Sequence, residues 1–154
     1  MSNRTTLPFA VTLLVRDTCL CLHLQRSARV VARSFDEALR PLGLTNGQFS
    51  LLMSLNHPQP ASIGDVTSVL AMDRTTLTAN LKPLERRGLL TVTIDDADKR
   101  SRRLTLTPAG RALLAAAVPV WKRTHAAIER LHVQSSPDEL RADLRALSSR
   151  TPSR

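Results

Sequence analysis

The chain has 154 residues, 42% of them apolar, which is enough to bury a core as one domain and excludes strong disorder. A formal net charge of +9 favours an anionic partner, either nucleic acid or an anionic membrane surface. No apolar run is long enough to span a bilayer, and Cys19 and Cys21, two positions apart, cannot frame a disulfide-rich secreted domain, so a cytoplasmic location is expected.

Residues 1–16 read as an N-terminal arm. Leu7 to Val15 is mostly apolar and follows Arg4, but Arg16 and Asp17 come next without a small-residue cleavage pattern, which argues against a signal peptide. A long helix is expected from about Asp17 to about Leu39. Leu24, Ala28, Val31, Phe35, Ala38 and Leu42 recur at alternating spacings of four and three, a coiled-coil-like seam that needs a partner helix. Arg26, Arg29, Arg33 and Arg40 lie off that seam. Pro41 and Gly43 end the helix, and Thr45 with Gln48 forms a capping box for the next, whose apolar face is Phe49, Leu52 and Met53.

Asn56 to Pro60 is a loop by its prolines, and Ser62 caps a short helix through about Leu70. Ala71-Met72-Asp73 is a tight connection into the most informative stretch, Asp73 to Gly88. There Leu77, Leu81 and Leu84 make one buried stripe and leave Arg74, Thr75, Thr76, Thr78, Asn80 and Lys82 off the core side. Such side chains hydrogen-bond phosphates and base edges. Pro83 removes a backbone bond to Ala79 and leaves the end of this helix open.

Gly88 stops the helix, and two strands, Leu89 to Ile94 and Arg103 to Leu106, flank a turn that carries basic side chains at its tip. Basic residues are spread along the chain, six in 1–43, eight in 44–103 and eight in 104–154, so the concentrated feature is this tip, with Lys99, Arg100, Arg102 and Arg103 in five positions. A tight helix pair followed by a hairpin is a winged helix-turn-helix. Thr107 caps, and Pro108 opens, a second long helix to about Leu131, with Leu114, Ala117, Trp121, Ile128 and Leu131 near one stripe and Pro119 expected to kink or interrupt it. A last helix starts at the capping box Ser136 to Glu139 and offers Leu140, Leu144 and Leu147 to a core.

The expected fold is therefore mainly α with a small β-hairpin wing. Residues 17–43 and 107–148 form a helical dimerisation region, 44–106 a winged helix-turn-helix DNA-binding lobe, and 149–154 a tail.

From about Asp17 to Leu147 the sequence resembles the MarR family of multiple-antibiotic-resistance-type regulators. The resemblance is carried by Ile63-Gly-Asp-Val, Met72-Asp-Arg-Thr-Thr-Leu-Thr, Leu84-Glu-Arg-Arg-Gly-Leu-Leu, Asp98-Lys-Arg100 and Leu104-Thr-Leu-Thr-Pro-Ala-Gly110. It implies a homodimer with interlocking terminal helices that binds a pseudo-palindromic double-stranded DNA operator as a transcriptional repressor. By position it implies Thr75, Thr76, Thr78 and Asn80 facing the major groove and Arg74 and Lys82 facing phosphate or groove. It also implies Arg100 in the minor groove beside Arg102, and Asp98 bracing an arginine of the DNA lobe.

Resemblance further implies release by a small aromatic or acidic ligand, for which Arg26, Arg29 and His57 are the candidate partners beside aliphatic walls. A plain solvated face is the alternative for those arginines. The organic-hydroperoxide sensors of the family carry a reactive cysteine near the first helix, which makes Cys19 and Cys21 redox candidates. Cys21 extends the apolar seam and is expected buried, leaving Cys19 as the better sensor, although the chain has no tyrosine. Cys19, Cys21 and His23 cannot converge on one metal ion from a regular helix, and no metal or cofactor is expected. No phosphate-cradling loop, nucleophile elbow or Cys-x-x-Cys pair is present, so the chain does not read as an enzyme. A winged-helix protein scaffold that does not read DNA is the remaining alternative.

Overall fold

The computed structural model describes residues 6–131 and 134–149. Its elements in chain order are α1 (Phe9–Thr18), α2 (Leu20–Leu39), a 3₁₀ turn (Arg40–Leu42), α3 (Asn46–Ser54), β1 (Ala61–Ser62), α4 (Ile63–Leu70), α5 (Arg74–Arg86), β2 (Leu90–Ile94), β3 (Arg102–Leu106), α6 (Pro108–Glu129) and α7 (Pro137–Ser148). The mainly helical architecture with a hairpin wing is the one expected. His132 and the expected tail past Ser149 lie outside the described residues.

The helix starts follow from side chains that satisfy orphan backbone donors. Thr45, Ser62 and Ser136 each accept the N–H of the third helical residue and donate their own backbone N–H to its side-chain oxygen, while Asp73 and Thr107 cap α5 and α6. The three strands form one antiparallel sheet in the order β1-β3-β2, with Leu90 opposite Leu106 and Ile94 opposite Arg102. Strand β1 escaped the sequence reading. Two residues carry no periodicity, and Ala61 and Ser62 are extended because they pair with Leu104 and Arg103.

One core joins the lobe to the long helices. Leu39, Leu51, Leu52, Val66, Leu77, Leu84, Leu90, Leu104 and Leu106 are fully buried, and Leu114 and Ala117 bring α6 onto them. At Gly110, α6 presses against the base of the wing: a Cβ there would stand 1.9 Å from the Leu89 carbonyl oxygen. The turn between α4 and α5 places Ala71 in the left-handed region at φ 49°, a conformation in which a Cβ crowds the backbone.

Several expectations are corrected. The stretch assigned to the arm is helical over Phe9–Thr18, and the long helix begins at Leu20, not near Asp17, because Cys19 is extended at φ −71°, ψ 106°. His23 Nε2 lies 3.1 Å from the Asp17 carbonyl and occupies one of the acceptors exposed by that break. Prolines 83 and 119 both sit inside helices that continue past them, each removing one backbone donor from a helix anchored by Leu77, Leu81 and Leu84 in α5 and by Leu114 and Ala117 in α6. On α3 the buried residues are Phe49, Leu51 and Leu52, while Met53 is 39% exposed beside α6.

Within one chain the terminal helices leave their apolar faces uncovered. No residue of α1 or α7 is buried, and Leu24 and Val31 of the expected seam, with Leu140, Leu144 and Leu147 of α7, are exposed. An apolar groove of about 710 Å³ runs between α2, α6 and α7. Across it, Arg141 of α7 binds Glu129 of α6 at 2.6 Å and Asp138 at 2.6 Å, and Glu129 also meets His125 at 3.1 Å. The Arg141 guanidinium holds the Glu129 and Asp138 carboxyls below the usual carboxylate range.

Candidate nucleic-acid interface

The roll of α5 is fixed by Leu77, Leu81 and Leu84, which are 0%, 3% and 0% exposed. With that stripe inward, Arg74, Thr75, Thr76, Thr78, Asn80 and Lys82 are all exposed, and Arg74, Thr75, Thr78 and Lys82 border one shallow open hollow along the helix. Thr76 and Asn80 are exposed outside that hollow.

Hydroxyl chemistry divides that face. Asp73 accepts the Thr76 N–H at 2.8 Å and the Thr76 hydroxyl at 2.6 Å, bonds that hold its carboxyl below the usual range. The Thr78 hydroxyl donates to the Arg74 carbonyl at 2.7 Å. With their protons committed to the helix, Thr76 and Thr78 offer a partner a lone pair and a methyl group, suited to a base amino group or a thymine methyl and not to a phosphate oxygen. The Thr75 hydroxyl has no such bond among the described residues. Asn80 reaches only the Met72 sulfur, a weak acceptor at 3.6 Å, and keeps its amide available for a base edge.

The wing is braced where its strands meet the turn and open at its tip. Arg103 donates to Asp95 Oδ2 from Nε and Nη2, each at 2.7 Å, across the end of the hairpin. Asp95 also accepts the Ala97 N–H at 3.0 Å, and this bond, followed by that to Arg103, lowers its pKa. Asp98, expected to brace an arginine, instead accepts the backbone N–H of Arg100 at 3.0 Å. Both aspartates accept the N–H two residues on, but the hairpin register brings Arg103 only to Asp95, which braces the wing here. Arg102 folds its guanidinium back onto the carbonyls of Lys99 and Ser101, both at 3.3 Å, whereas the Arg100 side chain has no partner among the described residues. Arg87 ties α5 to the residue after the 3₁₀ turn through a 2.8 Å bond to the Gly43 carbonyl.

The expected ligand residues do not converge. Arg26 lines a hollow on α2 with His23 and Val30, and Arg29 contacts Gln25 at 3.5 Å. His57 lies elsewhere, in a groove of about 470 Å³ between α3, α4 and α6. That groove holds Phe49 and Trp121, so its walls are aromatic and not only aliphatic as expected. Their ring centroids are 6.4 Å apart with planes 19° from parallel, and Trp121 stacks in turn on His125 at 4.8 Å. No spacing rule links residues so far apart in sequence.

The thiols reverse the expected order. Cys21 is exposed in the single chain and accepts a 3.4 Å bond from Gln25, while Cys19, at the helix break, is half-buried. Among the described residues no group of three histidine, cysteine or acidic side chains is placed to hold a metal ion, and no helix is long and apolar enough to cross a membrane.

Residues 44–101, the lobe from the end of the 3₁₀ turn to the wing tip, match the MarR family. The transcriptional regulator MosR of M. tuberculosis, solved in complex with DNA, is 36% identical with a TM-score of 0.77, over 84% of this chain and 93% of that one. The chain belongs to the MarR family. Among curated MarR-type regulators it is 34% identical to the transcriptional activatory protein BadR of Rhodopseudomonas palustris, over 60% of this chain and 54% of BadR. The match therefore spans about half the length of that relative. The organic hydroperoxide resistance transcriptional regulator of Bacillus subtilis is 31% identical, over 66% of this chain and 69% of its own length. These relatives are transcriptional regulators and not enzymes.

Proposed function

We propose that this MarR-family chain is a homodimeric repressor that binds a pseudo-palindromic operator and is released by a small molecule. The observation that carries the DNA reading is the outward row of α5, held rigid on three buried leucines beside a wing whose Arg100 has no partner within the described chain. Arg74 and Lys82 lie at the margins of the row and face phosphates. Thr75, Thr78 and Asn80 face bases, and Arg100 enters the minor groove where its negative potential is concentrated.

The surface area supports pairing. The chain exposes 11534 Å², against roughly 7,700 Å² expected of a compact monomer of this mass by the scaling of area with mass. The excess is more than the ~1,000–2,500 Å² per partner that an obligate dimer buries, so pairing accounts for part of it. Two copies joined through α1, α2 and α7 present two α5 helices to half-sites about one helical turn apart.

Fluorescence anisotropy with duplex from the region upstream of its own coding sequence, compared with random duplex, tests the reading alongside sedimentation. We expect a dimer with at least about a thousandfold preference for the cognate duplex. A monomer, or equal affinity for both duplexes, leaves the scaffold alternative in its place.

A second reading, a thiol switch through Cys19, is favoured by the hydroperoxide-resistance relative and by the position of Cys19 at the break between α1 and α2. Peroxide is then expected to release DNA from the wild type and not from Cys19→Ser. Equal responses in the two proteins end that reading.

A further inference from the structure

We propose that Ala79 is the residue through which α5 selects the 5-methyl group of a pyrimidine, so that each half-site carries a thymine at one fixed position. The inference rests on the DNA-binding proposal and deepens it by naming the base feature that the helix recognises.

The roll of α5 puts Ala79 at the centre of its outer face. Ala79 stands two residues from both Leu77 and Leu81, which at about 100° per residue turns it roughly 160° away from each. Those leucines are 0% and 3% exposed, and Ala79 is exposed. Thr75 lies one turn before it on the same line of the helix. Two short side chains along the crest let the helix axis come closer to a base edge than arginine or lysine in those places would.

The surroundings of Ala79 separate two kinds of contact. It lies in the shallow hollow bordered by Arg74, Thr75, Thr78 and Lys82. Arg74 and Lys82 are cations suited to phosphates, whereas Ala79 offers only a methyl group. Thr78 has committed its proton to the Arg74 carbonyl at 2.7 Å, so it brings a second methyl and a lone pair to the same hollow.

An A·T pair matches both features in the major groove. Thymine projects its 5-methyl, and adenine projects an N6 amino group that can donate to the lone pair. A G·C pair supplies a donor at cytosine N4 but has no methyl. The methyl is therefore what distinguishes the two pairs at this hollow, and Ala79 receives it without leaving any polar group unpaired.

Deoxyuridine tests this directly, because it pairs as thymine does and lacks only the 5-methyl. In the cognate duplex each thymine is replaced in turn, singly and then in both half-sites, and binding is followed by anisotropy. At one position the replacement is expected to weaken wild type about fourfold per half-site and about 15-fold when both are replaced, the effect of one buried methyl group each. In Ala79→Gly the same replacement is expected to change the Kd by less than about twofold. Comparing two duplexes within one protein cancels any loss of helix stability that glycine brings. Ala79→Ser, which sets a hydroxyl against the methyl, gives the same comparison at a lower helix cost and is also expected to lose the preference. A 5-methylcytosine·guanine pair at that position carries the methyl on another base, and wild type is expected to bind it about fourfold tighter per half-site than the unmethylated pair.

Three results overturn the proposal: no position at which uracil costs wild type more than about twofold, an undiminished cost in both Ala79 variants, or indifference to 5-methylcytosine. If wild type still prefers the cognate duplex in those cases, the DNA-binding proposal stands and only the role of Ala79 falls. Equal affinity of wild type for cognate and random duplex removes both.

Discussion

Lys82 offers the sharpest test of how the α5 face meets DNA. It is exposed on the outer side of α5, bordering the same hollow as Arg74, and a dimer carries it twice. Lys82→Gln keeps the length and helix propensity of the side chain and removes only the charge. If each copy neutralises one phosphate, losing two such contacts reduces the slope of log K against log salt by about 1.8. Because the electrostatic contribution vanishes near 1 M salt, that slope change weakens binding about 30-fold at 0.15 M and cuts the affinity change between 50 and 200 mM by about 12-fold. The assay is anisotropy titration at four salt concentrations on cognate and random duplexes, with exposed Lys122→Gln on α6 as the control that leaves the slope unchanged. The loss is expected to be alike on both duplexes, since phosphates carry no sequence information. An unchanged slope for Lys82→Gln removes Lys82 from the backbone. A reduction of about 0.9 indicates one copy per complex and refutes the paired arrangement.

Three further outcomes follow from backbone and wing geometry. Ala71→Gly relieves a non-glycine residue at φ 49° and is expected to stabilise the fold by about 1 kcal/mol, read as a higher urea midpoint at fixed protein concentration; an unchanged or lower midpoint refutes the strain. Gly110→Ala drives a Cβ to 1.9 Å from the Leu89 carbonyl oxygen and is expected to cost about 3 kcal/mol or more in the same measurement, so a loss below about 1 kcal/mol contradicts the packing of α6 on the wing. The lowered pKa of Asp95 means that its contribution to wing order is complete above the ordinary carboxylate value near ~4 and is lost as pH falls through the lowered one. The Ala97 amide resonance should therefore hold steady from pH 7 to 5 and shift only below about 4, while Asp95→Asn shows the shifted position at pH 7; a wild-type midpoint at or above the ordinary value refutes the assignment.

What the chain discloses before folding is what periodicity and local chemistry govern. Leu77, Leu81 and Leu84 alone set which side of α5 faces out, and Thr45, Ser62, Asp73, Thr107 and Ser136 mark the helix starts because a cap needs only a side chain and the next turn of backbone. The features that were not legible depend on partners distant in sequence or on competition among local bonds. Ala61 and Ser62 become a strand only because β3 arrives beside them. Asp95 and Asp98 are equivalent in a pattern of acidic turn residues, and the hairpin register decides between them by bringing Arg103 to the first.

The same distinction separates the two halves of the functional surface. The proposed DNA face lies within one helix and one hairpin, so spacing alone predicts which of its residues are exposed, although spacing did not reveal that Thr76 and Thr78 commit their protons to Asp73 and to the Arg74 carbonyl. The groove is assembled from α3, α4 and α6, and its chemistry arises from which side chains those packed helices leave on its walls. Arginines on the nearest polar helix face suggested an acid partner, yet packing directs Phe49, Met53 and Trp121 to the groove and keeps Arg26 away from it. A charged ligand is recognised by formal charge, which a sequence displays, whereas a neutral aromatic is recognised by surfaces that only folding brings together.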